Sequence, residues 1–258
     1  MRIGSMRVGL TAEMDPYEHY LTIKQFWNGW DWKSYWLSAF ATFKFDTFDD
    51  GYFPTRGFRF SVDGRYVFKG YSIDLDPVYV IPQFAADDLE IPPVTENGSV
   101  PVYGSALANF EAAFSLGSRF TLHPRLSMGW YNIRPEDTFV DNCLNPRHIV
   151  TIGGFMPNRY TERQIPFFGF ANGFRNTRPL SVVFQLDLRY RFSRKNFVTA
   201  RAGFFNDAYL IGDFANQSPF YAFGAEYARQ TVIGPLKVAV QWSDLTGTTA
   251  YAGIGFDF

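Results

Sequence analysis

The residue types that most often perform chemistry are present in this chain, but their spacing forms no known reactive site. The three histidines, His19, His123 and His148, lack the short spacings of metal ligands. Cys143 is the single cysteine, which excludes an internal disulfide and a C-x-x-C site. The sequence contains no P-loop, dinucleotide-binding glycine fingerprint, H-E-x-x-H or G-x-S-x-G motif. We therefore predict no catalytic, cofactor or metal site, and we expect that the chain itself is not an enzyme.

A second group of possible ligands lies in residues 69–102, a proline-rich stretch. Its acidic residues are Asp74, Asp76, Asp87, Asp88 and Glu90. Clustered carboxylates can bind Ca²⁺, but these do not follow the D-x-[DN]-x-[DN]-G spacing of a calcium loop. We interpret the stretch as a long solvated loop, because its prolines cannot continue a paired strand.

Charge and composition narrow the class of protein. The formal net charge is -1 and the pI is about 6.3, so there is no electrostatic basis for nucleic-acid binding. Aromatic residues make up 19% of the chain although its mean hydropathy is -0.14, which alternating apolar and polar strand faces produce. No apolar run reaches the roughly 18 residues of a transmembrane helix. The N-terminus does not resemble a signal peptide, so an outer-membrane location would make this chain a downstream piece of a longer precursor.

The elements that must position any functional side chain are strands, because alternation with a period of two runs through most of the sequence. Residues 43–68 are the clearest example. After a turn rich in Asp, Gly and Pro, aromatic and charged residues alternate from Phe58 to Phe68. A first strand is predicted over 6–13, ended by Asp15-Pro16. Similar segments lie near 103–115, 120–131, 182–192, 198–205, 221–227, 236–243 and 250–258. Pro124 lies within one of them and predicts a bulge or a locally unpaired position.

The connections between these segments vary in length. Long loops are predicted near 69–102, 132–147, 156–179 and 207–219, and short turns near 116–119, 193–196 and 244–247. Long loops on one rim and short turns on the other are typical of outer-membrane barrels. The stretch 165–170, IPFFGF, is apolar within a polar loop, which suggests that this loop packs on another part of the protein, such as a barrel lumen. We predict one all-β domain over residues 1–258, an antiparallel transmembrane β-barrel with about 10 to 13 strands in this chain.

The polar rows of these strands carry full charges in mid-strand. The candidates for a lumen-facing position are Arg59, Asp63, Arg65, Glu111, Asp187, Arg189, Arg191, Arg201 and Glu226. Alternation alone permits two arrangements: a membrane barrel with these charges inside, or a soluble barrel with an apolar interior that binds an apolar ligand. The regular strand pattern continues to the last residue, which favours the membrane barrel because the termini of soluble domains usually fray.

The C-terminal residues resemble the β-signal of outer-membrane proteins. The matching positions are Tyr251, Gly253, Phe256 and Phe258, in the ending YAGIGFDF. The resemblance implies a bilayer environment and recognition of the last strand by the outer-membrane assembly machinery.

Residues 45–57, FDTFDDGYFPTRG, resemble a stretch of the BamA-type bacterial surface antigen family. The matching residues are Asp46, Asp49, Tyr52, Phe53, Pro54, Thr55 and Gly57. The resemblance implies a larger barrel, N-terminally incomplete here, in a Gram-negative bacterial outer membrane. The family's inward loop ends in Arg-Gly-Phe or Arg-Gly-Tyr, from which the nearest run, at 172–176, departs.

The runs at 152–154 and 165–169 are similar to the barrel of patatin-like phospholipases. This resemblance implies that the barrel anchors, and translocates, a phospholipase domain whose catalytic residues lie upstream of residue 1. The alternative within the membrane class is an assembly or secretion barrel with upstream POTRA modules.

Overall fold

The computed structural model describes residues 2–23, 26–75, 98–100, 102–132, 150–154, 163–170 and 174–254. Among them are fourteen strands: β1 Arg2–Ile23, β2 Phe26–Asp46, β3 Gly57–Leu75, β4 Gly98–Val100, β5 Tyr103–Leu116, β6 Phe120–Tyr131, β7 Thr151–Gly153, β8 Gln164–Pro166, β9 Phe174–Asn176, β10 Leu180–Arg191, β11 Asn196–Ala208, β12 Phe220–Thr231, β13 Gly234–Ser243 and β14 Gly247–Ile254. A 3-10 helix spans Ile211–Asn216. Within these ranges no helix is both long and apolar enough to cross a membrane.

Ten strands form one antiparallel sheet in the order β1-β2-β3-β5-β6-β10-β11-β12-β13-β14, and β4 pairs with β3. This sheet confirms the predicted all-β fold of barrel type. In the described part of the chain, β1 and β14 form its two edges and are not paired with each other. A second sheet, in the order β8-β7-β9, combines a parallel and an antiparallel pair.

Several strand and loop boundaries in the structure differ from those predicted. β3 continues to Leu75, so the loop predicted at 69–102 begins later, and β4 lies within it. β1 passes through Pro16, which is opposite Lys33. An edge strand tolerates proline because its free edge needs no amide donor. β5 and β6 pair at Glu111–Arg125 and again at Phe114–Leu122 with the same offset and no bulge. Pro124 lies in the unpaired interval between them, as the sequence predicts, and pairs on its other side with Leu186 of β10.

Antiparallel order assigns each connection to a rim. The connections β2–β3, β5–β6, β10–β11 and β12–β13 lie on one rim, which we call the short-turn rim. The turn at 244–247 joins β13 to β14 and therefore lies on the opposite rim, together with the connection between β11 and β12. The expectation that short turns occupy one rim alone is wrong at this position, because a tight turn can join two antiparallel strands at either end.

The apolar rows face outward and the polar rows face inward. Phe223 is 54% exposed and Val240 is 53% exposed, whereas Gln185 and Glu226 are 4% and 3% exposed on the opposite face. The soluble alternative requires the reverse arrangement, with the apolar rows inside. An apolar band on the outside and a polar interior is the arrangement of a membrane barrel.

Candidate functional site: the plugged and charged barrel interior

Parts of the connection between β6 and β10 that the structure describes lie against the inner face of the large sheet. We call its described residues, 150–154, 163–170 and 174–179, the lumen plug. Ile152, Ile165 and Phe167 of the plug have no exposed surface and pack in one cluster with Val183 and Phe205 of the sheet. The prediction that the apolar run at 165–170 packs on another part of the protein is therefore confirmed, and that part is the inner face of the large sheet.

Glycines allow the plug to approach the sheet closely. A Cβ at Gly129 on β6 would lie 2.5 Å from a side-chain carbon of Val150. A Cβ at Gly203 on β11 would lie 3.1 Å from the ring of Phe168. Larger side chains at these inward positions would displace the plug, because the core has no space for added volume.

Arg163 holds one side of the plug to β3 and β5. Its Nη2 lies 2.6 Å from Asp63 Oδ1 and also donates to the backbone oxygen of Asp63 at 2.6 Å. Its Nη1 donates to the hydroxyl of Ser105. Arg163 is 3% exposed, so its charge depends on these partners for compensation.

The other side of the plug is held by β10 and β13. Gln185 donates from Nε2 to the carbonyl oxygen of Pro166 at 3.0 Å and accepts from the amide of Phe168 at 3.3 Å. The hydroxyl groups of Ser243 and Thr246 donate to the carbonyl oxygen of Gly169, at 2.5 Å and 3.1 Å. The plug is therefore tied to the wall from β3 to the turn after β13.

The end of the plug that leads into β10 is also bonded to the wall. The hydroxyl of Tyr131 donates to the carbonyl oxygen of Thr177 at 2.5 Å. The amide of Arg178 donates to Asp207 Oδ2 at 3.0 Å, and its guanidinium lies 5.3 Å from the ring centre of Tyr209.

Beside the plug, charged residues of alternating sign stand opposite one another across four strands. Asp46 of β2 pairs in register with Arg59 of β3, Arg59 with Glu111 of β5, and Glu111 with Arg125 of β6. Arg59 Nη2 lies 3.0 Å from Asp46 Oδ2, and His123 Nε2 lies 3.3 Å from Glu111 Oε2. Opposite charges in directly facing positions stabilise an antiparallel sheet.

The same network continues across β6, β10, β11, β12 and β14. Asp187 is bonded by Arg125 at 2.9 Å and lies 3.6 Å from Arg201, which also contacts Glu226 at 2.9 Å. Tyr251 donates its hydroxyl to Glu226 Oε2 at 2.8 Å and accepts from Arg201 Nη1 at 3.2 Å. These inward charges compensate one another, as charges removed from bulk water require.

The turn between β2 and β3 is organised by two aspartates. Asp49 Oδ1 accepts from the amides of Thr55 and Arg56, and Asp49 Oδ2 accepts from the Thr55 hydroxyl. Asp50 Oδ1 accepts from the amides of Tyr52 and Phe53. Burial by itself would raise the pKa of Asp49, but the bonds from Thr55 and Arg56 outweigh it and hold this pKa below its usual value.

This turn also folds into the interior. Phe53 stacks on Phe197 with ring centres 4.1 Å apart, and Arg189 donates to the carbonyl oxygen of Pro54 at 3.2 Å. Gly57 ends the turn with φ +106°, and a Cβ there would lie 2.4 Å from the carbonyl oxygen of Thr47. Only glycine suits both the positive φ and this close approach.

The residues predicted from sequence to face the lumen or to carry the family motifs lie in several different places. Arg59, Glu111, Asp187, Arg201 and Glu226 lie in the ion-pair network, Asp63 pairs with the plug, and Arg189 contacts the β2–β3 turn. Arg65 is half-buried beside Gly64 on β3. Arg191 is exposed at the end of β10, where it donates to the carbonyl oxygen of Ser118. Gly253 lies on β14, and Phe256 and Phe258 lie outside the described residues.

Sequence reasoning missed Arg163 and Gln185 as plug contacts. The only available signal was the apolar run directly after Arg163, because a loop that enters the lumen must bring polar groups with it. No cluster of His, Cys, Asp or Glu that could hold a metal ion occurs in the described parts of the chain.

Comparison with known families agrees with this architecture. Residues 28–258 match the model of the OMP85 superfamily. No curated protein sequence matches the chain. The resemblance of residues 45–57 to the BamA-type family is thereby confirmed. Domains of this superfamily are barrel and assembly proteins, and membership indicates a location in the outer membrane of bacteria or organelles. With an outward apolar face, a charged interior and a match over nearly its whole length, this chain belongs to the OMP85 superfamily.

Proposed function

We propose that residues 1–258 form one barrel domain that anchors an upstream domain in a bacterial outer membrane, and that the lumen plug keeps the barrel shut at rest. The observation that carries this proposal is the plug itself. It is bonded to β3 and β5 on one side and to β10 and β13 on the other. A filled interior suits an anchor better than an open pore.

The interior charges support the same reading. Pore-lining charges usually face water and passing ions. Here Asp187, Arg201 and Glu226 are committed to one another and to Tyr251. Translocation of an upstream segment through this barrel would require the plug to leave its position.

The proposed upstream domain is a patatin-like phospholipase. The support is the resemblance of two short runs, and both belong to the plug. Ile152 lies opposite Ile165 in the parallel pair of β7 and β8. The resemblance therefore concerns the element that fills the lumen and not merely a membrane-facing strand.

We further propose that the outer-membrane assembly machinery recognises the C-terminal strand through Tyr251, Gly253, Phe256 and Phe258. The inward hydrogen bonds of Tyr251 support a role for this strand in the assembled barrel. Tyr251→Phe retains the ring and removes the hydroxyl, so we expect normal membrane insertion but weaker resistance of the folded barrel to heat.

The anchoring proposal is tested with the full-length gene product in a Gram-negative host. We expect phospholipid acyl hydrolysis in the outer-membrane fraction and none from residues 1–258 alone. Deletion of β10–β14 should release the upstream domain to the soluble fraction. An upstream domain that stays in the outer membrane after this deletion, or that lacks acyl-hydrolase activity, would refute the anchoring or the phospholipase part respectively.

Superfamily membership favours one second candidate, an assembly or secretion barrel with upstream POTRA modules. Depletion of the protein separates the two. Loss of many other outer-membrane proteins would support the assembly role, whereas an unchanged outer-membrane proteome supports the anchor.

A further inference from the structure

A polar cavity of about 380 Å³ opens at the short-turn rim, away from the lumen plug. It lies between the β2–β3 turn, the β5–β6 turn and the ends of β10 and β11. Four arginines line it, Arg56, Arg119, Arg189 and Arg191, against a single acid, Asp49. Its volume lies within the range typical of small-ligand sites.

The acids of this region are already engaged. Asp49 accepts three hydrogen bonds from Thr55 and Arg56, and Asp50 accepts two from the following amides. The cavity therefore has an excess of cationic donors over acceptors, which is the electrostatic condition for binding an anion.

The arginines are only partly used by the protein. In the described residues the Arg56 side chain makes no hydrogen bond or ion pair, and the Arg191 side chain donates only to the carbonyl oxygen of Ser118. Arg189 is 6% exposed, and its Nη1 has no hydrogen-bond acceptor among the described residues. A buried guanidinium nitrogen without an acceptor is costly unless a ligand supplies one.

The cavity also reaches the outward face of the barrel. Phe120 lines the cavity and belongs to the outward apolar row, where it is 45% exposed. Arg119 donates from Nη1 to the hydroxyl of Tyr190 at 3.3 Å. In a membrane barrel the ends of the apolar rows lie at the level of the lipid headgroups.

We propose that this cavity is a binding site for a phosphate group. The planar forks of several arginines match the oxygens of a phosphate, and the hydroxyl group of Ser118 supplies a further donor. The phosphate can belong to an anionic phospholipid headgroup at the rim or to free phosphate, since both present the same oxygens. The site does not depend on what lies upstream of residue 1.

The test uses the full chain in detergent micelles and two probes. Inorganic phosphate is titrated calorimetrically, and phosphatidylglycerol binding is counted by native mass spectrometry, with phosphate added as a competitor. We expect the wild type to bind at least one probe. The double variant Arg56→Gln/Arg191→Gln should weaken that binding at least about tenfold, because each arginine contributes charge-assisted bonds to the same group.

Arg194→Gln is the matched control, since Arg194 is an exposed arginine on the neighbouring turn that does not line the cavity. It should change binding less than about twofold, as expected for a screened charge outside the site. Lipid binding that added phosphate and the double variant both weaken assigns a lipid headgroup to this site, and calorimetric phosphate binding without lipid binding assigns free phosphate; either supports the site. Lipid binding that neither phosphate nor the double variant weakens lies elsewhere and counts against the site. If neither probe binds, or if the control weakens binding as much as the double variant, the proposal is refuted. Should the double variant fail to fold, Arg56→Gln alone tests the same point with an expected loss of about threefold.

Discussion

Arg163→Met is the substitution that most directly tests whether the lumen plug is held by its ion pair with β3. Methionine keeps an unbranched apolar side chain in the buried position but removes the guanidinium. The change deletes the contacts of Arg163 with Asp63 and Ser105. Asp63 is not stranded, because its side chain is 37% exposed and still accepts from the Thr42 hydroxyl at 2.8 Å.

The size of the effect follows from that geometry. Removing one partner of a fully buried pair costs about 3–5 kcal/mol, and a hydrogen bond to a charged group contributes about 1.5–3 kcal/mol. Because Asp63 keeps solvent and a second partner, we expect a loss of about 2–3 kcal/mol in plug docking, below the cost of breaking a fully buried pair and within the range for a hydrogen bond to a charged group. At about 1.4 kcal/mol per factor of ten, the fraction of barrels with an undocked plug rises roughly 30- to 150-fold.

Single-channel recording in planar bilayers measures this fraction. An undocked plug opens the lumen to ions, so the open probability of Arg163→Met should exceed that of the wild type by the same factor. Arg194→Met is the control, because it removes an exposed arginine far from the plug. A double-mutant cycle with Asp63→Asn should give a coupling of about 1–3 kcal/mol. An open probability equal to that of the wild type, or a coupling near zero, would refute the view that this pair holds the plug.

Three further predictions concern the turn and the faces of the sheet. Gly57→Ala should lower the free energy of unfolding by about 1–3 kcal/mol, because it places a Cβ at positive φ and against a carbonyl oxygen. Denaturant unfolding measures this change. Gly51→Ala is the control, because a Cβ at Gly51 would have no neighbouring atom within 4 Å. Because its pKa is lowered in the folded protein, Asp49 stabilises the fold above about pH 4, and this contribution is lost as the pH falls through that lowered pKa. In Asp49→Asn, the free energy of unfolding should therefore fall less steeply as the pH is lowered into the acid range. In a Cys143→Ser background, Val240→Cys should react with a lipid-soluble thiol reagent, whereas Gln241→Cys should resist it because its side chain faces the interior.

Each of these has a clear contrary result. Equal stability of the alanine variants at positions 57 and 51 would show that backbone strain at the turn is unimportant. If the stability of Asp49→Asn falls as steeply with decreasing pH as that of the wild type, Asp49 does not contribute to the pH dependence. Labelling at position 241 from the lipid phase would mean that the two faces are assigned in reverse.

Much of the fold could be predicted from local pattern. A period of two in residues such as Val182 to Phe192 requires a strand, since no helix places alternate residues on one face. The short turn near 116–119 and the turn that ends at Gly57 were likewise predicted, because turn residues act locally. Loop boundaries were less accurate: β3 extends into the predicted loop and β1 continues past Pro16. Pairing with a neighbouring strand overrides weak local signals in such places.

The charged residues of the barrel interior were likewise predictable only in part. The sequence indicated that they alternate with aromatic residues, but it did not indicate which residues they pair with. Asp46, Arg59, Glu111 and Arg125 come from four strands, and register alone makes them neighbours. A register shift of one residue would turn each of them to the other face.

The sequence by itself determined that the chain is β, where most strands lie and which residues share a face, because these properties depend on periodicity along the chain. The direction of each face was decided by tertiary structure, since an alternating pattern is unchanged when inside and outside are exchanged. The position of the plug was also decided by tertiary structure. Arg163 meets the backbone of Asp63 across a separation of 100 residues, and only the return of the β6–β10 connection into the barrel brings them together.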